Sequence, residues 1–234
     1  MPQEITTITL PLPFRLGTVN CYLVNTGSSH ILIDTGASNK RAELEQELAK
    51  AGCQPGDLDL IVITHGDFDH TGNAAHLRET YGAKIAMHEA DAGMAQKGDM
   101  FSSRKSGNAV LGLIAPVLFR FPKSARFAPD FFLAEGDNLA AYGWDARVVS
   151  LPGHSFGSIG LLTAEGDLFC GDLLENPEKP AINSIMDDLE TAEAVVERLR
   201  SVKIRTVYPG HGQPFEMGEF LADLPEPGGV GIGD

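Results

Sequence analysis

Cysteine is scarce in this chain, and the few cysteines do not form a framework. Cys21, Cys53 and Cys170 are an odd number, lie far apart and include no C-x-x-C pair. Small secreted domains are held together by an even and dense set of cysteines, so the sequence excludes that class. The pattern predicts buried free thiols in a protein of a reducing compartment.

Long apolar runs and a basic N-terminus are also lacking. No stretch approaches the roughly 20 apolar residues that a membrane-spanning helix needs. Residues 1–14 contain a glutamate but no lysine or arginine, so they lack the positively charged start of a secretory signal. We therefore expect a cytoplasmic protein with no membrane partner.

Positive charge is in short supply. The 234 residues contain 18 Lys and Arg against 32 Asp and Glu, which gives a formal net charge of −14. Such an acidic surface repels nucleic-acid phosphates and anionic membranes, which argues against both as partners. A small-molecule substrate, neutral or recognised locally, suits this chain better.

Short apolar runs alternate with helical patterns along most of the chain. Strands are predicted at 19–25, 30–36, 58–64, 84–88, 146–151, 160–164, 167–172 and just before 209–212. Helices are predicted at 38–52, with Ser38 as the cap, and at 71–82 and 187–202. Strands mixed with covering helices predict a sheet-rich α/β layer fold in one domain over 1–223, followed by a loose tail over 224–234.

Residues 93–130 interrupt this pattern and carry the opposite charge. Two carboxylates, Asp99 and Asp130, stand there against six cations, a local charge of about +4 (six minus two). The cations are Lys97, Arg104, Lys105, Arg120, Lys123 and Arg126. We predict a lid-like insertion over one end of the sheet, with a solvated helical hairpin as the alternative.

The stretch "LIVITHGDFDHTGN" (60–73) places two histidines and two aspartates directly after an apolar strand. These residues are His65, Asp67, Asp69 and His70, and imidazole with carboxylate is the ligand set of zinc, iron or manganese. Side chains so close in a tight loop point in two directions and can serve two ions. Further ligands are expected where other predicted strands end in glycine-containing loops, at His154, Asp172 and His211.

Five motifs in sequence order make the chain resemble the metallo-β-lactamase fold superfamily of metallo-hydrolases. They are "LIDTG" with Asp34, "THGDFDH", "PGHSFGS", "CGD" and "PGHG". The resemblance implies an αβ/βα four-layer sandwich with a dinuclear metal site at one edge of its two sheets. It also implies that Asp34 buttresses the site without being a direct ligand.

The resemblance assigns the metal ligands position by position. It implies that one ion is held by His65, residue 67 and His154, and the other by Asp69, His70 and His211. Asp172 would bridge the two ions. Asp69 and Asp172 are the predicted catalytic residues, acting with a hydroxide held between the ions.

One position departs from the family pattern. The usual motif is HxHxDH, whereas Asp67 replaces its second histidine here, and flavodiiron oxidoreductases resemble this more closely because they carry a glutamate at that place. The extra carboxylate favours harder or more highly charged ions. The predicted cofactors are two divalent metal ions, zinc first, with iron or manganese as alternatives. Asp67 pointing away from a weak or empty first site is a further alternative.

The leading prediction is a metal-dependent hydrolase of a small-molecule ester, thioester or lactone. One alternative is an iron-dependent oxidoreductase of the flavodiiron or dioxygenase-like type, and another is a degenerate, non-catalytic binding protein. His70 argues against a true zinc β-lactamase, and too few residues follow His211 for a glutathione-binding helical domain of the glyoxalase II type.

Several side chains are predicted to contact the substrate. Arg104, Lys105, Arg120 and Lys123 suit a carboxylate or phosphate, and Phe119, Phe121, Phe131 and Phe132 suit an apolar wall. Lys179 and Asn183 lie in a second loop that leads away from Asp172. For each residue alone, surface solvation or core packing is the alternative.

Overall fold

The computed structural model describes residues 3–12, 17–102 and 122–224. A six-stranded sheet contains, in spatial order, β1 (Glu4–Pro11), β2 (Thr18–Asn25), β3 (His30–Ile33), β4 (Leu58–Val62), β5 (Lys84–Met87) and β6 (Phe131–Phe132). The first three strands pair antiparallel and the pairs from β3 to β6 are parallel. The strands predicted at 19–25 and 30–36 are present as β2 and the shorter β3, and they form an antiparallel hairpin.

A second sheet has five strands. Numbered along the chain they are β7 (Ala146–Ser150), β8 (Ile159–Thr163), β9 (Asp167–Gly171), β12 (Thr206–Pro209) and β13 (Phe215–Glu216), in the spatial order β13-β12-β9-β8-β7. Strands β9 and β12 are parallel, whereas β8 is antiparallel to both β7 and β9. A separate ribbon pairs β10 (Leu174–Glu175) with β11 (Ala181–Ile182).

Six α-helices flank these sheets in the described part of the chain. They are α1 (Arg41–Lys50), α2 (Phe68–Thr71), α3 (Ala74–Tyr81), α4 (Glu89–Lys97), α5 (Leu189–Leu199) and α6 (Met217–Ala222). Ser38 does not cap α1, because it lies in a preceding 3₁₀ turn, Ser38–Lys40, that makes no side-chain cap. The predicted helix 71–82 is present as α3 from Ala74, and Thr71 ends α2 instead, because the backbone amides of Gly72 and Asn73 donate to Gly36 O and Thr35 Oγ1.

Three apolar clusters define four layers. The first contains Leu44 of α1, Leu77 of α3 and one face of the six-stranded sheet. The second lies between the sheets, where Val62 and Phe169 are members, and the third packs α5 and α6 on the outer face of the five-stranded sheet. Burial of apolar surface on both faces of each sheet is what holds the layers together. The predicted αβ/βα four-layer sandwich is confirmed.

Strand β4 shows how the sequence leads to this packing. From Leu60 onward the side chains alternate, since Leu60 and Val62 belong to the cluster between the sheets, whereas Ile61 and Ile63 belong to the helix-facing cluster. Successive side chains of a strand point to opposite faces, so a strand covered on both sides needs a nearly continuous apolar run. The strand predicted at 58–64 is present as Leu58–Val62 and is covered on both faces.

The predicted buried free thiols are confirmed, and some other predictions fall beyond the described residues. Cys21, Cys53 and Cys170 are free and buried, and burial raises the pKa of the Cys170 thiol to about 12. Within the ranges that the structure describes, no helix has both the length and the apolar character needed to cross a bilayer. The centre of the predicted lid, 103–121, and residues 225–234 of the predicted tail lie outside these ranges, so the lid and the domain bounds stay predictions.

Candidate metal centre

The predicted ligands meet because the strands that precede them end at one edge. His65 follows β4, His154 follows β7, Asp172 follows β9 and His211 follows β12. Strands β7 and β9 run in the same direction because both are antiparallel to β8, and β12 is parallel to β9. The carboxyl ends of these strands therefore lie together, as is usual for ligand sites of parallel sheets.

The side chains form two groups. The ligand atoms of His65, His154 and Asp172 all lie within 4.8 Å of one another, and so do those of the second group. The second group consists of Asp69, His70 and His211. All six residues except His211 are buried, so the two groups form one enclosed polar centre between the sheets.

Asp172 lies at the middle of this centre. Its Oδ2 is 3.9 Å from His65 Nε2, 3.9 Å from His154 Nε2 and 3.1 Å from His211 Nε2. Its Oδ1 is 3.3 Å from Nε2 of His70. A single carboxylate thus contacts the reactive nitrogens of both groups. Gly210 leaves room for it, because a Cβ there would collide with Asp172 Oδ1.

All four histidines turn the same ring nitrogen toward the centre. In each ring Nδ1 lies beside an oxygen acceptor, which leaves Nε2 for the centre. The acceptors are Thr64 Oγ1 for His65 at 2.9 Å, Asp34 Oδ2 for His70 at 2.8 Å, Ile185 O for His154 at 2.6 Å and Thr18 O for His211 at 2.6 Å. Such hydrogen bonds fix the tautomer and the ring orientation, which is the arrangement that metal-ligating histidines need.

Asp34 supports two of these histidines at once. Its Oδ2 accepts hydrogen bonds at 2.8 Å from His70 Nδ1 and from Thr64 Oγ1, and its Oδ1 accepts from the Thr64 amide at 2.8 Å. Because the Thr64 hydroxyl donates to Asp34, it is free to accept from His65 Nδ1. Asp34 has φ of 59°, the one positive φ outside glycine in the described ranges, a backbone state that marks functional sites.

Asp67 points into the first group. Its Oδ2 lies 3.1 Å from His154 Nε2 and 3.8 Å from His65 Nε2, and its side chain is almost completely buried. The Asp67 backbone carbonyl also accepts from the His70 and Thr71 amides at the start of α2. The carboxylate is therefore placed with the histidines of the first group, and it does not point away from them.

The donor set fits a bound cation. His65 Nε2, His70 Nε2 and Asp172 Oδ1 are buried, and within the described residues none of them makes a hydrogen bond. Leaving such atoms unsatisfied is costly unless a ligand completes them. Imidazole nitrogens with carboxylate oxygens suit zinc, iron and manganese, so the residues fit divalent metal ions.

The charges in the centre perturb its titrations. Burial opposes ionisation of Asp172, but His211, His70 and His65 outweigh it and hold its pKa well below the usual range. Burial also opposes protonation of His70 and His211, yet nearby carboxylates raise the pKa of His70 well above its usual value and that of His211 to about 9. Burial and the neighbouring His70 lower the pKa of His65. The ion-free centre therefore holds protons on His70 and His211 at neutral pH.

We expect metal uptake to release these protons. At a pH below the His211 pKa of about 9, this ring carries a proton that a metal ion must displace. Metal uptake near neutral pH therefore acidifies the solution. Above about 9 the ring is already neutral, and the release from it disappears. Calorimetric titration of the ion-free protein in two buffers of different ionisation enthalpy measures the number released. A release that is equal on both sides of pH 9 would contradict the assignment of this pKa to His211.

A cavity of about 730 Å³ opens beside the two groups. Asp67, Asp69, His154, Asp172 and His211 are in its wall. The rest of the described lining is mainly apolar or uncharged: Leu12, Gly17, Thr18, Phe68, Met100, Phe101, Pro177, Asn183, Ser184, Ile185, Gly212 and Gln213, with the carboxylate of Glu175. No lysine or arginine is among the described lining residues.

Of the residues predicted to contact the substrate, some line the cavity and others do not. Asn183 lines the cavity and is buried, with its Oδ1 accepting from the Ile185 amide. Lys179 and Lys123 are exposed and do not line it. Arg104, Lys105 and Arg120 lie outside the described residues, as do Phe119 and Phe121.

The predicted aromatic wall is wrong for its two described members. Phe131 packs against Tyr142 and the cluster between the sheets, and Phe132 is half exposed. Phe68 and Phe101 line the cavity instead. Sequence spacing favoured the phenylalanines near the insertion, but β6 pairs with β5 and carries two of them into the sheet.

Sequence reasoning also missed residues that hold the ligand loops. Asn20 donates through Nδ2 to the carbonyls of Pro209 and Gly212, on either side of His211. Asp91 accepts hydrogen bonds from the loops that carry His65 and His154. Both partners are distant in sequence, so no local pattern marks these residues. Thr64 had one available signal, its place directly before His65.

Curated relatives span most of the chain. The beta-lactamase-like protein 2 homolog of Drosophila melanogaster is 28% identical over 88% of this chain. An acyl-coenzyme A thioesterase of Gallus gallus is 28% identical over 84% of this chain and 73% of its own length. A hydroxyacylglutathione hydrolase of Haemophilus influenzae is 30% identical over 66% of each chain. The chain spans only 62% of the fly protein and 58% of its Caenorhabditis elegans counterpart.

Solved structures share the fold. A metallo-beta-lactamase family protein from Thermus thermophilus superposes with a TM-score of 0.71 at 25% identity, over 91% of this chain and 74% of the other. The protein TTHA1623, solved in a di-iron-bound form, gives 0.69 at 28% identity over 93% and 97%. The family model of the metallo-beta-lactamase superfamily matches residues 14–211, which include every residue of both groups. The chain therefore belongs to the metallo-beta-lactamase superfamily.

Proposed function

We propose that this protein is a metal-dependent hydrolase of small-molecule esters or thioesters. The observation that carries the proposal is the set of four histidines whose Nε2 atoms face Asp172 in the wall of a substrate-sized cavity. Histidines and carboxylates held in this way suit metal-assisted hydrolysis, because they place cations next to the space where a carbonyl group fits.

Each residue has an assigned role in this proposal. His65, Asp67 and His154 would hold one ion, while Asp69, His70 and His211 would hold the other. Asp172 would serve both ions and, with Asp69, is assigned to the reacting centre. When bound, two divalent ions supply Lewis acidity and make water nucleophilic near neutral pH. Asp34 keeps Nδ1 of His70 protonated, so that Nε2 presents its lone pair.

The cavity supports a substrate with an apolar acyl group. Its volume of about 730 Å³ lies within the range usual for small-molecule sites. Phe68, Met100, Phe101 and Ile185 offer apolar contact, whereas Asn183 and Gln213 offer hydrogen bonds. Two relatives that align with most of this fold are named for thioesters, acyl-coenzyme A and hydroxyacylglutathione. A thioester is therefore the first class to test.

Phe101→Ala is expected to raise KM for an apolar acyl substrate by about tenfold, with kcat nearly unchanged. The reason is lost burial of a ring that lines the cavity and belongs to neither ligand group, worth about 1.5 kcal/mol. Phe132→Ala is the matched control, since that half-exposed ring does not line the cavity. Steady-state kinetics on short and long acyl thioesters measure the effect. A loss in kcat alone, or the same loss in both variants, would show that Phe101 does not contact the acyl group.

The central experiment joins metal analysis to a substrate panel. Protein purified without added metal is analysed for zinc, iron and manganese, and then assayed on neutral esters, thioesters and lactones after chelation and reloading. We expect hydrolysis that is lost on chelation and restored by a divalent ion. Lys179→Ala should behave as wild type, because Lys179 is exposed and outside the cavity wall. Hydrolysis that survives complete metal removal would refute the proposal.

Asp67 makes an iron oxidoreductase the second candidate. Its carboxylate adds negative charge beside His65 and His154, which favours iron over zinc. A structural relative at 28% identity has been solved in a di-iron-bound form. One or two equivalents of iron with a visible absorption band, together with no hydrolysis across the panel, would support this candidate. Metal binding without any turnover would instead support a binding protein.

A further inference from the structure

Asp91 is a buried carboxylate outside the proposed ligand set. It lies in the first turn of α4 and is 1% exposed. Its Oδ2 accepts hydrogen bonds from the Gly66 amide at 2.9 Å and from Ser155 Oγ at 2.6 Å, and its Oδ1 accepts from the Gly157 amide at 2.9 Å. Burying a carboxylate costs several kcal/mol unless such donors compensate, so all three hydrogen bonds matter.

The three donors belong to two loops that carry the first ligand group. Gly66 stands between His65 and Asp67, and Ser155 directly follows His154. These loops come from different sheets, since His65 follows β4 of the six-stranded sheet and His154 follows β7 of the five-stranded one. One side chain on a third element therefore joins both loops.

Two glycines permit this close contact. A Cβ at Gly157 would lie 2.5 Å from Asp91 Oδ1, and a Cβ at Gly66 would lie 2.8 Å from the Met94 side chain of the same helix. Both distances are shorter than van der Waals contact, so the loops approach α4 only because glycine stands at 66 and 157. We call this contact of Asp91 in α4 with the Gly66 loop and the Ser155–Gly157 loop the junction.

We propose that Asp91 is a positioning residue that sets the spacing of the His65 and His154 rings, and thereby the affinity of the first group for a metal ion. The proposal rests on the proposed function only in that the centre holds metal ions. Outer hydrogen bonds of this kind orient ligands, and their loss usually costs about 10- to 100-fold in metal affinity. Asp91 makes no hydrogen bond to the second group, where His70 is held by Asp34 and His211 by the Thr18 carbonyl.

The junction requires a carboxylate. An asparagine at position 91 offers one oxygen and one amide nitrogen. If its oxygen replaces Oδ2, the amide nitrogen faces the N–H of Gly157. If the amide is flipped, that nitrogen faces the N–H of Gly66. In both orientations a donor opposes a backbone donor, so one loop must move away.

The test compares Asp91→Asn with Glu89→Gln. Glu89 is an exposed residue in the same helical turn, so its variant removes the same charge without touching either loop. Zn²⁺ affinities of both sites are measured by competition with a chelator, and thermal unfolding of the ion-free proteins is followed in parallel. We expect Asp91→Asn to weaken one of the two sites about 10- to 100-fold and to leave the other within a few-fold, while Glu89→Gln matches wild type.

Ser155→Ala provides a second, milder variant. It removes one of the three hydrogen bonds and should weaken the same site by a smaller factor, even if Asp91→Asn does not fold. Equal weakening of both sites, in step with a lower unfolding temperature, would overturn the proposal in favour of a merely structural role. Two wild-type affinities in Asp91→Asn would also overturn it while leaving the proposed function intact. A wild-type protein that binds no Zn²⁺, Mn²⁺ or iron would refute both.

Discussion

Asp172→Ala is expected to weaken both metal sites together and, at saturating metal, to lower kcat by about a thousandfold. The physical reason is that its carboxylate lies within 4 Å of the Nε2 atoms of all four histidines, at 3.1, 3.3, 3.9 and 3.9 Å. Its replacement by alanine therefore removes negative charge from beside both groups at once. A loss of about 4 kcal/mol of transition-state stabilisation corresponds to that factor in rate.

Metal content by elemental analysis and turnover of one thioester measure the effect. Asp167→Ala is the matched control, because Asp167 lies on the same strand but pairs with Arg205 at 2.8 Å, away from the centre. We expect that variant to keep both ions. If Asp172→Ala retained two tightly bound ions with near-normal turnover, the assignment of Asp172 as the shared ligand would be wrong.

Variants of Asp67 should separate the two sites. Asp67→Ala is expected to leave about one ion per chain, because Asp69, His70 and His211 remain to hold the second ion. Asp67→His restores the common HxHxDH motif and should keep both ions with a greater preference for zinc. It also replaces a carboxylate beside His65 and His154 by a neutral ring, which removes about one negative charge from the centre.

The pH–rate profile gives an independent measurement of the same change. With less negative charge in the centre, the acidic limb for Asp67→His should move to lower pH by about one unit. Wild type, Asp67→His and Asp67→Ala are compared under one metal supply. The same metal stoichiometry and profile in all three proteins would show that Asp67 is not a ligand, in spite of its place beside His154.

The alternation of apolar runs and the five motifs carried most of the fold prediction. The continuous apolar run before His65 predicted a strand, and the three-fold recurrence of strand, glycine and ligand at 151–154, 170–172 and 207–211 predicted further ligands. That these ligands meet at one edge of the sheets was implied by the family resemblance. Helix details were less predictable. Ser38 is a good cap residue by type, yet α1 begins only at Arg41, because local preferences are weak compared with packing.

The sequence by itself determined the class of centre, since histidines and aspartates at the ends of successive strands have few other uses. The resemblance already placed His154 with His65, whereas only the tertiary structure decided that Phe68 and Phe101, in place of Phe131 and Phe132, line the cavity. It also decided that Asp91 accepts hydrogen bonds from Gly66 and Ser155, which lie 25 and 64 residues away along the chain. Such contacts depend on how two sheets and a helix pack, and a hydrogen bond between distant segments leaves no periodicity in the chain that forms it.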